Sequence, residues 1–170
     1  MGSSGRADMT TNGWGEAEFA ALGKIAFNFT ELEYCVDYLL SGFFKDDLVA
    51  TALLSGENIS WKFDKLSVLA TEALKDTGVQ EHLLGWVKAA KVLNDRRNEL
   101  MHSLYFLSEA DGSVTRMKAS TRGGKWRGSS ERMDLASLQE VAALLDQGVE
   151  ATHSLVEQLS SCPEWHRPSQ

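Results

Sequence analysis

Near the middle of this 170-residue sequence stand Arg97, Asn98 and His102, three side chains whose chemistry suits proton transfer beside a bound anion. Imidazole is the side chain that ordinarily gives or takes a proton near neutral pH. A guanidinium grips an oxyanion through two parallel hydrogen bonds, and an amide can orient either group. On a helix, Asn98 and His102 share a face one turn apart, with Asp95 a turn earlier. Arg97 and His102 diverge, because five residues separate them by about 7.5 Å along the axis and about 140° around it. One chain therefore offers its arginine and histidine on different faces, whereas a two-fold dimer would bring two of each into a shared cleft.

The elements that must hold these residues are legible as apolar periodicity. Phe19, Leu22, Ala26, Phe29, Val36, Leu40 and Phe43 recur at three- and four-residue steps and predict a long amphipathic helix from Glu16 to Phe44. Four residues past Phe29 the stripe lands on Glu33, a carboxylate that needs a partner if it faces a core. Asp46-Asp47 caps a short helix to Leu54, and Asn58 or Ser60 opens another through Leu66, Leu69 and Leu74. From Val79 to about Ser103 the period returns through Trp86, Ala90, Leu93 and Leu100, with Arg97 on the same stripe. Glu33 and Arg97 are thus a candidate ion pair in the core or at an interface. Asp95 and Arg96 flank the motif as supporting residues.

After His102, Leu104-Tyr105-Phe106-Leu107 and Val114 to Lys118 flank the turn pair Asp111-Gly112 and predict a β-hairpin. Thr121 to Ser130, rich in Gly, Ser and basic residues, reads as a mobile loop. Arg116, Lys118, Arg122, Lys125 and Arg127, with Trp126 among them, could hold RNA by phosphate contacts and one stacked base, though a solvated turn explains the loop as well. A final helix follows on Leu135, Leu138, Ala142, Leu145, Val149, Val156 and Leu159, capped by Ser129, Ser130 or Asp134. On its stripe only Thr152 is polar, and its hydroxyl can bond back one turn. The expected fold is mainly α-helical, a bundle of four or five helices with a small β-hairpin before the last one.

The run Asp95-Arg96-Arg97-Asn98-Glu99-Leu100-Met101-His102 at the end of a bundle helix resembles the HEPN superfamily, whose signature is an Arg, a polar residue directly after it and a His four to six residues beyond the Arg. Arg97, Asn98 and His102 occupy those places, while Ser103 stands where many members have Gly. The order of elements from Glu16 to Leu159 is similar as well. The resemblance implies a metal-independent endoribonuclease with its site at a dimer interface, in the setting of a toxin or antiviral effector. Partners implied are a second copy of the chain, RNA, and an antitoxin or regulatory protein. The alternative is a non-catalytic HEPN-like module for dimerisation or nucleotide binding.

Composition narrows the rest. Hydrophobic residues at 43% and charged residues at 24% describe one ordinary globular domain, and a net charge of -7 argues against a protein that coats nucleic acid through its overall field. No apolar run is long enough to cross a bilayer. Two cysteines, Cys35 and Cys162, are too few and too distant to staple a secreted scaffold, so the cytoplasm is the expected compartment and Cys35 a buried structural thiol. His82, His153 and His166 lack metal-ligand spacing, and neither a metal nor a cofactor is expected. Residues 1–8 read as an added leader, 9–162 as the domain and 163–170 as a tail.

Overall fold

The computed structural model describes residues 14–107, 113–122 and 125–168. Its elements follow in the order α1 (Glu16–Ser41), α2 (Asp47–Leu54), α3 (Ile59–Ala73), α4 (Gly78–Met101), β1 (Leu104–Leu107), β2 (Val114–Arg122), β3 (Lys125–Met133) and α5 (Leu135–Leu159). The chain is the expected helical bundle with a small antiparallel insertion before its last helix. No described helix is long and apolar enough to cross a membrane.

Polar side chains start the helices by satisfying donors that the first turn leaves open. Asp46 accepts from the N–H groups of Leu48 and Val49, Asn58 from Trp61, Thr77 from Gln80 and Asp134 from Ser137. At α1 the Glu18 carboxylate accepts the Gly15 N–H at 2.9 Å. Once started, the helices are held by packing. α1 lies most extensively against α5 and also touches α2, α3 and α4. Its Ile25, Phe29, Leu32, Val36 and Leu39 join Phe63 and Leu66 of α3, Leu83 and Val87 of α4, and Leu138, Leu145 and Leu159 of α5 in one core.

Asn28 and Thr152, polar residues in that core, are satisfied. Asn28 Nδ2 donates to the Ala142 carbonyl at 2.9 Å, joining α1 to α5. Thr152 donates its hydroxyl to the Gly148 carbonyl one turn back, as its place on the stripe requires. Burial raises the Cys35 thiol pKa above its ordinary value, which suits an inert structural thiol.

The expected hairpin is present as the antiparallel pair β1–β2, and a third strand extends it into a sheet in the order β1-β2-β3, so one expectation changes. β2 and β3, nine residues each, pair from Val114 opposite Met133 to Arg122 opposite Lys125, so strand replaces most of the loop expected over Thr121 to Ser130. Composition misleads there because a strand needs apolar side chains only on the face it buries. Among the described side chains of β3 only Met133 is buried. The Asp111-Gly112 turn and Met1 to Asp8 lie outside the described residues.

At the C-terminus, residues 163–168 pack on the end of α1. Trp165 is 3% exposed and its indole donates to the Leu39 carbonyl at 3.1 Å, while the His166 N–H donates to the Gly42 carbonyl at 2.6 Å. These donors serve carbonyls that the last turn of α1 leaves open. Gly42 has ordinary helical angles; a glycine is needed because a Cβ would stand 2.1 Å from Trp165 Nε1. Gly42→Ala is expected to destabilise the fold by about 1 to 3 kcal/mol through overpacking, and Trp165→Ala by about 3 to 5 kcal/mol. Thermal unfolding checks both, and a Gly42→Ala protein that melts unchanged would rule out this docking of the C-terminal segment.

Candidate active site

The last two turns of α4 carry the motif residues. Leu93 and Leu100 are buried and fix the helix against the core, which leaves Arg97 half-buried between them. Its guanidinium carbon lies 4.5 Å from the ring centroid of Phe29, a fully enclosed residue near the middle of α1. One terminal nitrogen donates to Asn98 Oδ1 at 3.0 Å, and Asn98 Nδ2 donates to Asn94 Oδ1 at 3.3 Å. Asn94 is itself buried, so the relay from Arg97 ends on a fixed amide.

The expected Glu33–Arg97 ion pair is absent. Arg97 has no carboxylate within ion-pair distance among the described residues, and its Nε is enclosed without a partner. The reason is positional: Phe29 precedes Glu33 by one turn on the same stripe of α1, and the guanidinium settles on the aromatic face it meets there. An aromatic face attracts the cation without cancelling its charge.

His102 follows directly as the C-cap of α4, exposed, with its backbone N–H on the Asn98 carbonyl at 3.1 Å. A histidine here is also favoured by the negative end of the helix dipole. Asn98 therefore touches both other members of the motif, Arg97 through its side chain and His102 through its backbone. A terminal nitrogen of the arginine thus reaches Asn98, which stands on the same helix face as His102. Asp95 is exposed and makes no contact with them; Arg96 is exposed and lies 3.8 Å from Glu99.

Arg116 has a different fate from the one expected of an RNA contact. It is 8% exposed and bonds Glu131 at 2.6 Å and Glu99 at 3.4 Å, so its charge is neutralised in a network tying β2 and β3 to α4. Lys118 joins the same network at 3.5 Å from Glu99. A cleft of about 340 Å³ opens beside it, lined by Arg96, Glu99, Arg116 and Glu131 and not by Arg97, Asn98 or His102. The backbone sets Arg122 opposite Lys125 and Thr121 opposite Trp126; the side chains of Arg122, Lys125, Trp126 and Arg127 lie outside the described residues. Nearby, burial raises the Tyr105 pKa, with Arg116 acting in the opposite sense.

Sequence reasoning missed Phe29, Asn94 and the Glu99–Arg116 bridge. The first two had a signal, since each stands one helical turn from a residue already singled out. The bridge had none, because it joins residues 17 apart, one on a helix end and one on a strand, and no single period links the two. Among the described residues no three His, Cys, Asp or Glu side chains gather closely enough to hold a metal ion.

The arrangement sets an arginine that has no carboxylate partner among the described residues and an exposed histidine near the same end of α4. Comparison with protein-family profiles, with curated proteins and with solved structures gives no match for this chain. A double-mutant cycle tests the arginine's setting. Phe29→Leu and Arg97→Met are expected to couple by about 0.5 to 2 kcal/mol, whereas Glu33→Gln and Arg97→Met should be additive. Coupling to Glu33 in place of Phe29 would restore the ion pair.

Proposed function

We propose that this chain is a metal-independent endoribonuclease of HEPN type, with Arg97, Asn98 and His102 as its catalytic residues. One observation carries the reading: among the described residues Arg97 is anchored on Phe29 and Asn98 with no carboxylate partner, five residues before an exposed histidine. An arginine kept for structure is ordinarily neutralised, as Arg116 is a short distance along the chain. Holding a cation near the core without a counter-charge leaves part of its desolvation uncompensated and prepares it for an anion.

In the reaction the imidazole of His102 takes the proton of the ribose 2′-hydroxyl as that oxygen attacks the adjacent phosphorus. The guanidinium of Arg97 holds the non-bridging oxygens as negative charge builds on them. The bond from phosphorus to the 5′-oxygen then breaks, and that oxygen receives a proton from the imidazolium or from water. The products are a 2′,3′-cyclic phosphate and a 5′-hydroxyl. Asn98 orients Arg97. The resemblance puts the site where two copies of the chain meet, which would bring two Arg97 and two His102 side chains into one cleft.

A net charge of -7 and the neutralised Arg116 favour a second reading, in which the same surface is a non-catalytic HEPN-like dimerisation or nucleotide-binding module. Cleavage of single-stranded RNA by purified protein separates the two. Cleavage is expected to persist in excess chelator and to leave cyclic phosphate ends. His102→Ala should lower it by about 10²- to 10⁴-fold, and Arg97→Lys should also lower it, since an ammonium cannot make the bidentate contact. Activity that vanishes with chelator yet survives His102→Ala would place the chemistry elsewhere.

A further inference from the structure

The sheet turns two different faces to its surroundings. Along a strand, successive side chains go to opposite sides, and burial tells which side is which. Tyr105, Val114 and Arg116 face the bundle: Tyr105 bonds the Leu100 carbonyl, Val114 lies in the core and Arg116 is almost fully enclosed. Leu104 and Phe106 flank Tyr105 in β1 and point the other way, 60% and 48% exposed. Pairing sets Met117 and then Ser130 beside Leu104, and Thr115 and then Arg132 beside Phe106. The outer face is therefore two rows that each cross all three strands.

Three features indicate what this face takes. The first is its apolar character, since an antiparallel sheet with one face on the core ordinarily turns polar side chains to water, and here Leu104, Phe106 and Met117 stand together on the outside. The second is charge. The chain carries a net charge of -7, yet the two rows hold no carboxylate and one guanidinium. Arg132 is exposed and forms no ion pair among the described residues, and the neighbouring Asp134 carboxylate is engaged by the Ser137 N–H at 2.8 Å. Glu131, the acid of β3, is on the inner face with Arg116. The third is place: β1 begins two residues after His102, so the outer face starts about 7 Å from the histidine along an extended chain.

We propose that this outer face is a stacking platform for unpaired nucleotides of RNA, with a base on Phe106, a neighbouring base over Leu104 and Met117, and a phosphate on Arg132. Unpaired nucleotides offer flat apolar faces joined by anions, the two properties that the rows combine. Phe106 and Arg132 lie two strand spacings apart, about 10 Å. Every base has a face that can stack, so the platform selects single strands over duplexes and reads little sequence. The inference rests on the ribonuclease reading for the kind of nucleic acid, and adds to it the surface on which the substrate lies beside His102. That surface is the opposite side of the sheet from Arg116.

Binding tests the platform apart from cleavage. The probe is an end-labelled single-stranded oligoribonucleotide with 2′-O-methyl groups, which has no free 2′-hydroxyl to attack the phosphate, and fluorescence anisotropy reads its affinity. Phe106→Ala is expected to raise Kd about 5- to 150-fold, and Arg132→Gln to reduce the slope of log Kd against log salt by about 0.7. Val92→Ala, at an exposed position of α4, should change neither. A duplex of the same sequence should bind with no dependence on Phe106. A parent chain that binds no single strand at low salt overturns the proposal, and so does equal affinity of the parent and Phe106→Ala. Phe106→Ala that weakens self-association and leaves RNA affinity unchanged also overturns it, by making the face an interface between copies. The two readings fail separately. Binding through Phe106 in a protein that cuts no RNA keeps the platform and removes the ribonuclease, whereas cleavage with an unchanged KM in Phe106→Ala does the reverse.

Discussion

α1 touches every other helix, and the burial of its apolar stripe is the constraint on which the remaining structure rests. A single helix can serve as a hub only if its apolar surface covers more than a narrow face, and Ile25, Phe29, Leu32, Val36 and Leu39 spread it widely enough to meet α3, α4 and α5 at once. The cost of that arrangement falls at the edges. Asn28 must bond a carbonyl of α5, and the last turn must have its carbonyls served from elsewhere, which the segment around Trp165 does. Where α4 crosses the hub, the residue on the α1 side is an arginine in place of a leucine, and the hub answers with the face of Phe29.

Two arginines near the same helix end show how environment sorts charge. Arg116 arrives on a strand, is almost fully enclosed, and is neutralised by Glu131 and Glu99. Arg97 arrives on the helix, keeps part of its surface in solvent, and is held by π-electrons and an amide, neither of which carries a formal charge. A buried cation without a counter-charge is costly, and the partial exposure of Arg97 is what makes its state tolerable. Glu99 is the residue that keeps the two apart electrostatically, since it is spent on Arg116, Lys118 and Arg96.

Much of this was legible in the sequence for a physical reason: helices in a bundle must write their packing into a period of three to four residues. The five helices follow from the stripes through Phe29, Leu66, Leu93 and Leu145 and from the capping residues Asp46, Asn58 and Asp134. β3 was not legible, because a strand that buries only its last described residue leaves no alternation to read. The motif Arg97, Asn98 and His102 was visible as types and spacing, but its geometry was not. Spacing puts Glu33 and Phe29 on one stripe and cannot say which of them a guanidinium will reach. Trp165 escaped for a related reason, since a short stretch beyond a helix carries no period at all.

Among the described residues, few side chains attach the sheet to the bundle. Val114 and Met133 enter the core, Arg116 bridges to Glu99, and Tyr105 bonds the Leu100 carbonyl at 2.5 Å while its ring meets Trp14. Units with so few enclosed apolar groups are the first to open in native-state hydrogen exchange, well before the helices that share a core. β1 begins two residues after His102, with only Ser103 between them. The backbone of His102 is therefore held on one side by the last turn of α4 and on the other by a sheet that shares few described apolar groups with the core, so an opening of the sheet would free the chain directly after the histidine.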